Sequence, residues 1–239
     1  MSFFQYILNI NKKQQLASDF ILGNHNIETY NYIRQFPNWS NKIIFLNGPD
    51  GSGKNHICKF WQSFSNAVKI ELFNDNEKNL NQILESNNCF IIENLEIYFS
   101  RKYILRNLDN HDFECLQKTI FSILDHVINE NKFLLISSEI TAVDMNITLA
   151  DLKSRLMSFA TLKLKTPDDQ ALKTFLIKEF SSRQLKINND ICEYILKRSV
   201  RSFDQLNDLI NKIDNLALHN KRNITKPFIK EVIDNEFQQ

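Results

Sequence analysis

The run Lys42-Ile43-Ile44-Phe45-Leu46-Asn47 passes directly into Gly48-Pro49-Asp50-Gly51-Ser52-Gly53-Lys54-Asn55. The first segment has the length and apolarity of a buried strand. The second has the spacing GxxxxGK, and the helical pattern that follows it gives the strand–loop–helix context in which that spacing has a physical meaning. Glycines let successive backbone N–H groups turn inward around a phosphate. Lys54 adds a point charge, and the start of the next helix adds a favourable dipole. Gly48, Gly51, Ser52, Gly53 and Lys54 are therefore expected to hold the phosphates of a nucleotide.

Three further runs resemble the first: Ala67 to Leu72, Cys89 to Glu93 and Lys132 to Ser138, and Phe159 to Leu164 alternates like a fifth strand. Helical spacing fills the intervals, over His56 to Phe64, Asn79 to Leu84 and Phe113 to Ile128. Strands alternating with helices predict an α/β fold, a parallel sheet covered on both faces. After Thr166-Pro167 the strands stop, and three or four amphipathic helices follow, with Pro167 and Pro227 near helix starts, where a missing N–H costs least. The expected organisation is a tail over 1–14, a nucleotide-binding domain over 15–166 and a helical lid over 167–239.

Composition narrows the classes. A 43% hydrophobic share with 24% charged residues provides a sizeable core, and only four Gly and four Pro favour long regular elements. A net charge of +1 gives no bulk signal for nucleic-acid binding. The four cysteines, Cys58, Cys89, Cys115 and Cys192, form no CxxC pair, which argues against a zinc site or a disulfide scaffold and for a reducing compartment. No apolar run approaches the roughly 20 residues needed to span a bilayer. The N-terminus lacks the basic segment and cleavage site of a signal peptide, so the expected location is cytoplasmic.

Two positions depart from an active phosphate-transfer site. The residue after Lys54 should carry a hydroxyl for Mg²⁺; Asn55 offers a bulkier carboxamide. The strand Cys89-Phe90-Ile91-Ile92 ends in Glu93, an acid where Asp is usual at a metal site, and the next residue, Asn94, cannot act as a base. Glu96, two residues on, points differently. Nucleotide binding survives such changes better than hydrolysis does, so weak intrinsic ATPase activity is expected, with ADP or ATP bound and Mg²⁺ in question.

Three more features sit at strand and helix ends. Ser137-Ser138-Glu139 closes an apolar run, where a small polar residue could reach a γ-phosphate. Arg155, in Asp151-Leu152-Lys153-Ser154-Arg155-Leu156, lies just before the fifth strand, where an arginine could reach a nucleotide on a neighbouring molecule. Arg201 stands at a helix start, where it could contact phosphate from the lid.

Taken in order along the chain, these residues resemble the AAA+ ATPases, and within them the DnaA replication-initiator branch. Asp19-Phe20-Ile21-Leu22-Gly23 with Asn26 looks like the segment that wraps adenine in DnaA proteins, which implies a nucleotide role for Phe20 and Leu22. The phosphate loop, the strand ending Glu93-Asn94, the DLKSRL run and the Arg201 turn follow, and Thr225 to Val232 looks like the end of the short DnaA-like proteins. The resemblance covers about residues 15–236. DnaA initiators also carry a helicase-loading domain and a helix-turn-helix domain with no counterpart here, so the match narrows to the short form, the Hda regulators that inactivate DnaA. Hda proteins carry an N-terminal clamp-binding hexapeptide, Q-x-x-L-x-L. Gln5-Tyr6-Ile7-Leu8-Asn9-Ile10 fits that form, with Ile10 last. Period-2 apolar residues in an extended tail suit a groove, with Gln5 bonding at its rim.

The resemblance implies a regulatory protein rather than an efficient enzyme. Its partners would be DnaA and the DNA polymerase III sliding clamp (the β subunit), with homodimer formation allowed and no sequence-specific DNA binding. Arg155 would act as a finger in trans, stimulating ATP hydrolysis on DnaA and preventing re-initiation. Two other readings stay open: an autonomous AAA+ ATPase acting as a loader, and a DnaA-binding adaptor that leaves hydrolysis unchanged. Asn55, Glu93 and Asn94 speak against the loader.

Overall fold

Five apolar runs become five strands: β1 (Ile43–Asn47), β2 (Val68–Lys69), β3 (Cys89–Ile92), β4 (Phe133–Ser138) and β5 (Ala160–Lys163). The structure, a computed structural model, describes residues 20–72, 77–100, 110–185, 187–199, 201–220 and 224–236. Gln5, Leu8 and Ile10 lie outside the described residues. The strands form one sheet in the order β2-β3-β4-β1-β5, and every pairing is parallel. Parallel neighbours need crossovers. These are supplied by α2 (Lys54–Ser65), α3 (Glu77–Ser86), α5 (Asn110–Asn129) and α6 (Ala150–Ser158), and two further helices, α1 (Ile27–Ile33) and the short α4 (Glu96–Phe99), complete this part of the chain.

The chain divides into two compact units. The first contains Glu28–Pro49 and Lys54–Leu164, and Phe20 belongs with it; the second contains Ile21–Ile27, Asp50–Gly53 and Lys165–Gln239. In the first unit the period-2 alternation of strands sorts side chains onto two faces. Ile43, Phe45, Phe90, Ile92, Leu134 and Ile136 face one way, into a core shared with Leu116, Ile120, Ile123 and Leu124 of α5. Ile44, Leu46, Cys89, Ile91 and Leu135 face the other, against Ile57, Cys58 and Trp61 of α2. Burial on both faces explains why the central strands read as continuous apolar runs.

The second unit is helical: α7 (Asp169–Ser182), α8 (Asn189–Leu196), α9 (Phe203–Asn220) and α10 (Lys226–Glu236). Its core includes the fully buried Phe180 and Phe228, with Leu172, Leu176, Ile210 and Ile229. Burying each such large side chain stabilises by about 1.5–3 kcal/mol. Three of the helices start on a polar cap. Asp168 Oδ1 accepts from Ala171 N at 2.8 Å, Asn188 Oδ1 from Ile191 N at 2.9 Å, and Ser202 Oγ from Gln205 N at 3.3 Å. Among the described residues no helix is long and apolar enough to cross a membrane.

Candidate functional site

In the first unit, β1 ends at Asn47 and delivers Gly48 and Pro49, and α2 opens on Lys54. The Lys54 side chain is buried, and its ammonium donates to Gly48 O at 2.8 Å and Pro49 O at 2.9 Å. An ammonium has three donors, so one remains for a phosphate oxygen. Asn55 follows on the exposed side of the helix.

Four groups gather where α2 covers β3 and β4. Asn94 sits just past β3 with φ +52°, and its N–H donates to Ser137 Oγ at 3.1 Å. Ser137 O accepts from Leu95 N at 2.9 Å. Cys58, buried in α2, hydrogen-bonds Ser137, and burial together with the Glu93 carboxylate pushes its thiol far above the ordinary range. The hydroxyl of Ser138 is turned back onto Ile140, donating to its carbonyl at 2.7 Å. Both serines are thus engaged in local backbone structure.

Glu93 is not open. Its Oε2 lies 2.9 Å from Lys69 Nζ at the end of β2, and Glu71 approaches the same ammonium at 3.8 Å. The hydrogen bond that Lys69 donates to Glu93 raises the Lys69 pKa, with partial burial opposing it.

Arg155, in the last turn of α6, is also held. Nη1 donates to Asp125 Oδ1 of α5 at 2.7 Å, and the guanidinium lies 4.5 Å over the Phe121 ring. Phe20 stacks on Tyr30 with centroids 5.0 Å apart and lies 5.7 Å from the Phe60 ring.

In the second unit, Asp50–Gly53 pack beside the start of α9. Gly51 has φ +65°, and its carbonyl accepts from Phe203 N at 3.1 Å. A Cβ placed on Gly51 would lie 1.8 Å from Ser202 Oγ, so both conformation and space require glycine here. Gly53 has φ +94°, and a Cβ there would meet no atom within 4 Å. Ser52 Oγ is buried without a hydrogen-bond partner. Arg201 pairs with Asp169, Nη2 to Oδ1 at 3.1 Å, and is largely exposed. The turn before α1 is closed by Asn26, whose Nδ2 donates to Ile21 O at 2.8 Å and whose Oδ1 accepts from Gly23 N at 3.1 Å. Leu22 is exposed. His25 is buried with both ring nitrogens unpartnered, and burial lowers its pKa against a weaker opposing pull from Asp168.

In the first unit, Lys54 keeps a free donor that suits a phosphate oxygen. In the second, taken by itself, Gly51 and Gly53 hold the left-handed turns a curled backbone needs, and an orphaned hydroxyl stands at Ser52. Mg²⁺ does not fit in the same way, because the acid at the strand end is closed by an ammonium and no hydroxyl follows Lys54. Sequence reasoning missed Lys69, Ser202 and Asp125. Ser202-Phe203-Asp204-Gln205 does carry a capping-box signature, and it is the signal that would have found Ser202.

Comparison with known proteins gives the family context. The Hda lid-domain family matches residues 168–233. An uncharacterized protein of Haemophilus influenzae is 23% identical over 206 residues, covering 80% of this chain and 81% of that protein. The chromosomal replication initiator DnaA of Buchnera aphidicola is 24% identical over 202 residues, covering 81% of this chain. The chain spans only 44% of that initiator's length. Among solved structures, domain III of Thermotoga maritima DnaA aligns with a TM-score of 0.74 at 15% identity, covering 91% of this chain and 95% of the domain. AMPPCP-bound DnaA of Aquifex aeolicus aligns at 0.63 with 15% identity, covering 83% and 63%. Thermotoga maritima RuvB aligns at 0.64 with 17% identity, covering 90% and 70%. Such identities establish the shared fold alone. Over its fold the chain resembles the DnaA-related AAA+ proteins, and over residues 168–233 it resembles Hda.

Proposed function

We propose that this chain is an Hda-like regulator of replication initiation, acting in the cytoplasm. Residues 1–14 tether it to the DNA polymerase III sliding clamp through Gln5, Leu8 and Ile10. The AAA+ domain, over 15–166, binds ADP or ATP on the loop Gly48 to Asn55, and the lid occupies 167–239. Arg155 reaches in trans to the nucleotide of ATP-loaded DnaA and stimulates its hydrolysis, which prevents re-initiation. The observation that carries this reading is the Hda lid match over 168–233.

The chemistry supports a regulator over a motor. Phosphoryl transfer needs charge stabilisation and a positioned water more than covalent help. Here Asn94 offers no base, and Glu93 is paired with Lys69. Arg155, by contrast, keeps four of its five N–H donors beyond the one given to Asp125. Nucleotide binding draws support from the free donor on Lys54 and from the structural neighbour solved with AMPPCP.

A single-turnover assay on ATP-loaded DnaA with DNA-loaded clamp tests the proposal. Wild type should accelerate hydrolysis, and Arg155→Ala should lose that effect while still binding the clamp. Arg155→Lys should also fail, because Lys lacks the planar fork. No stimulation by wild type would leave the adaptor reading in its place.

A further inference from the structure

The pair Lys69–Glu93 lies on the sheet face that carries the phosphate-loop lysine. Lys69 is level with Ile91 on the parallel neighbour β3, and Glu93 follows Ile91 by two residues. Alternation along strands puts all three on one face. That face packs under α2, and Cys58 of α2 feels the charges of Glu93, Lys54 and Lys69 together. The Glu93 side chain is 17% exposed and that of Lys69 46%, so the contact at 2.9 Å is withdrawn from water on the carboxylate side alone.

Mg²⁺ demands near-octahedral oxygen ligands at about 2.0–2.1 Å. Seating it on Glu93 would require the ion either to displace Lys69 or to share the carboxylate with a like charge. The other protein ligand such an ion would use is a hydroxyl after Lys54, and Asn55 has none.

We propose that Lys69 stands in for the divalent cation, so that this chain binds a nucleoside diphosphate without Mg²⁺. The inference rests on reading Gly48 to Lys54 as a nucleotide loop. Lys54 supplies a positive charge, and Lys69, its charge balanced by Glu93 and Glu71, supplies an ammonium donor that Glu93 fixes in place. So small a net positive charge favours a diphosphate over a triphosphate.

Calorimetric titration of ADP into the full chain, in EDTA and in excess Mg²⁺, tests this. Wild type should bind ADP no more tightly in excess Mg²⁺ than in EDTA, because Mg²⁺ competes with the protein for free ADP. Lys69→Met should weaken ADP by at least about tenfold in EDTA, the loss of one charge-assisted contact, and Mg²⁺ should restore it, because Glu93 is then released to the metal. Lys69→Arg should behave as wild type. A wild-type Kd that tightens tenfold in Mg²⁺ would overturn the inference while leaving the nucleotide loop intact. ADP binding in neither buffer would overturn both. Metal-independent binding by Lys69→Met would remove Lys69 from the role. A second measurement needs no variant: adding wild type to a Mn²⁺–ADP mixture should raise the free Mn²⁺ signal in electron paramagnetic resonance, as metal-free ADP is withdrawn. A fall in that signal, with Mn²⁺ carried onto the protein, would overturn the proposal.

Discussion

Arg155 donates to Asp125 at 2.7 Å while its guanidinium carbon lies 4.5 Å from the centre of the Phe121 ring. Both partners come from α5, one helical turn apart, and both charged side chains are part-exposed. The ring orients the guanidinium and the carboxylate occupies one edge. Exposed or half-exposed pairs contribute about 0–1 kcal/mol, so a phosphate can outcompete Asp125. Asp125→Asn is therefore expected to keep or raise the stimulation of DnaA hydrolysis, by up to about fivefold. A loss as deep as that of Arg155→Ala in the same single-turnover assay would mean that Asp125 positions the arginine rather than competing for it.

Lys54→Ala should weaken ADP binding by about 1.5–3 kcal/mol, the range for a hydrogen bond to a charged group. Its ammonium also ties Gly48 and Pro49 to the helix start, so some of the loss comes from a looser loop. Calorimetry checks the affinity; an unchanged Kd would remove the loop from the nucleotide site.

Much of the sheet was readable because buried parallel strands are apolar throughout: Ile43 to Asn47 and Cys89 to Ile92 needed no partner to be recognised. The four lid helices showed in the spacing of Leu206, Leu209, Ile210 and Ile213 and similar sets. Helix α6 was less legible, since Asp151, Lys153, Ser154 and Arg155 leave only Leu152 and Leu156 buried on its inner side. Helix α1, seven residues long, is too short for its pattern to stand out. The positions of Gly48 to Asn55 followed from spacing, but what each side chain touches did not. Lys69 is 24 residues from Glu93 and meets it only through the β2–β3 register. Asp125 is 30 residues from Arg155 and meets it only because α5 and α6 pack together. Local pattern carries no record of such pairings.

His25 should titrate below its ordinary pKa of 6.5, because burial disfavours the imidazolium and Asp168 opposes this only in part. The sign follows from linkage: the unfolded chain binds the proton more tightly, so this group's contribution to stability falls as pH drops through about 6.5 and below. NMR titration of the His25 ring reads the pKa directly. A value at or above 6.5 would show that Asp168, not burial, governs the site.

Thiol reactivity should separate the four cysteines. Cys115 is exposed, while Cys58, Cys89 and Cys192 are buried. Burial and the Glu93 carboxylate hold Cys58 as the neutral thiol, and only the thiolate is nucleophilic. Alkylation of the native protein, followed by peptide mass spectrometry, should label Cys115 first and Cys58 only after denaturation. Early labelling of Cys58 would contradict its enclosure under Ser137.

Gly51 of the phosphate loop packs closely against Ser202 at the start of α9. At φ +65° an L-residue carries a conformational cost of about 1–2 kcal/mol. The new methyl of Gly51→Ala would also fall 1.8 Å from Ser202 Oγ and 2.5 Å from its Cβ, and overpacking of this kind costs about 1–3 kcal/mol more. The two costs are separable. In a Ser202→Gly background the clashes with Oγ and Cβ are removed, while the conformational cost and a 2.9 Å approach to the Cα of residue 202 remain, and glycine at a helix N-cap costs only a few tenths of a kcal/mol. Urea denaturation of both single variants and the double variant should therefore give a favourable coupling of about 1–3 kcal/mol between the two sites. Ser202→Gly should also leave the hydrogen bond from Phe203 N to Gly51 O in place, since that contact uses only backbone. Strict additivity in this cycle would mean that Gly51 and Ser202 do not touch, and that the loop is shaped by backbone conformation alone.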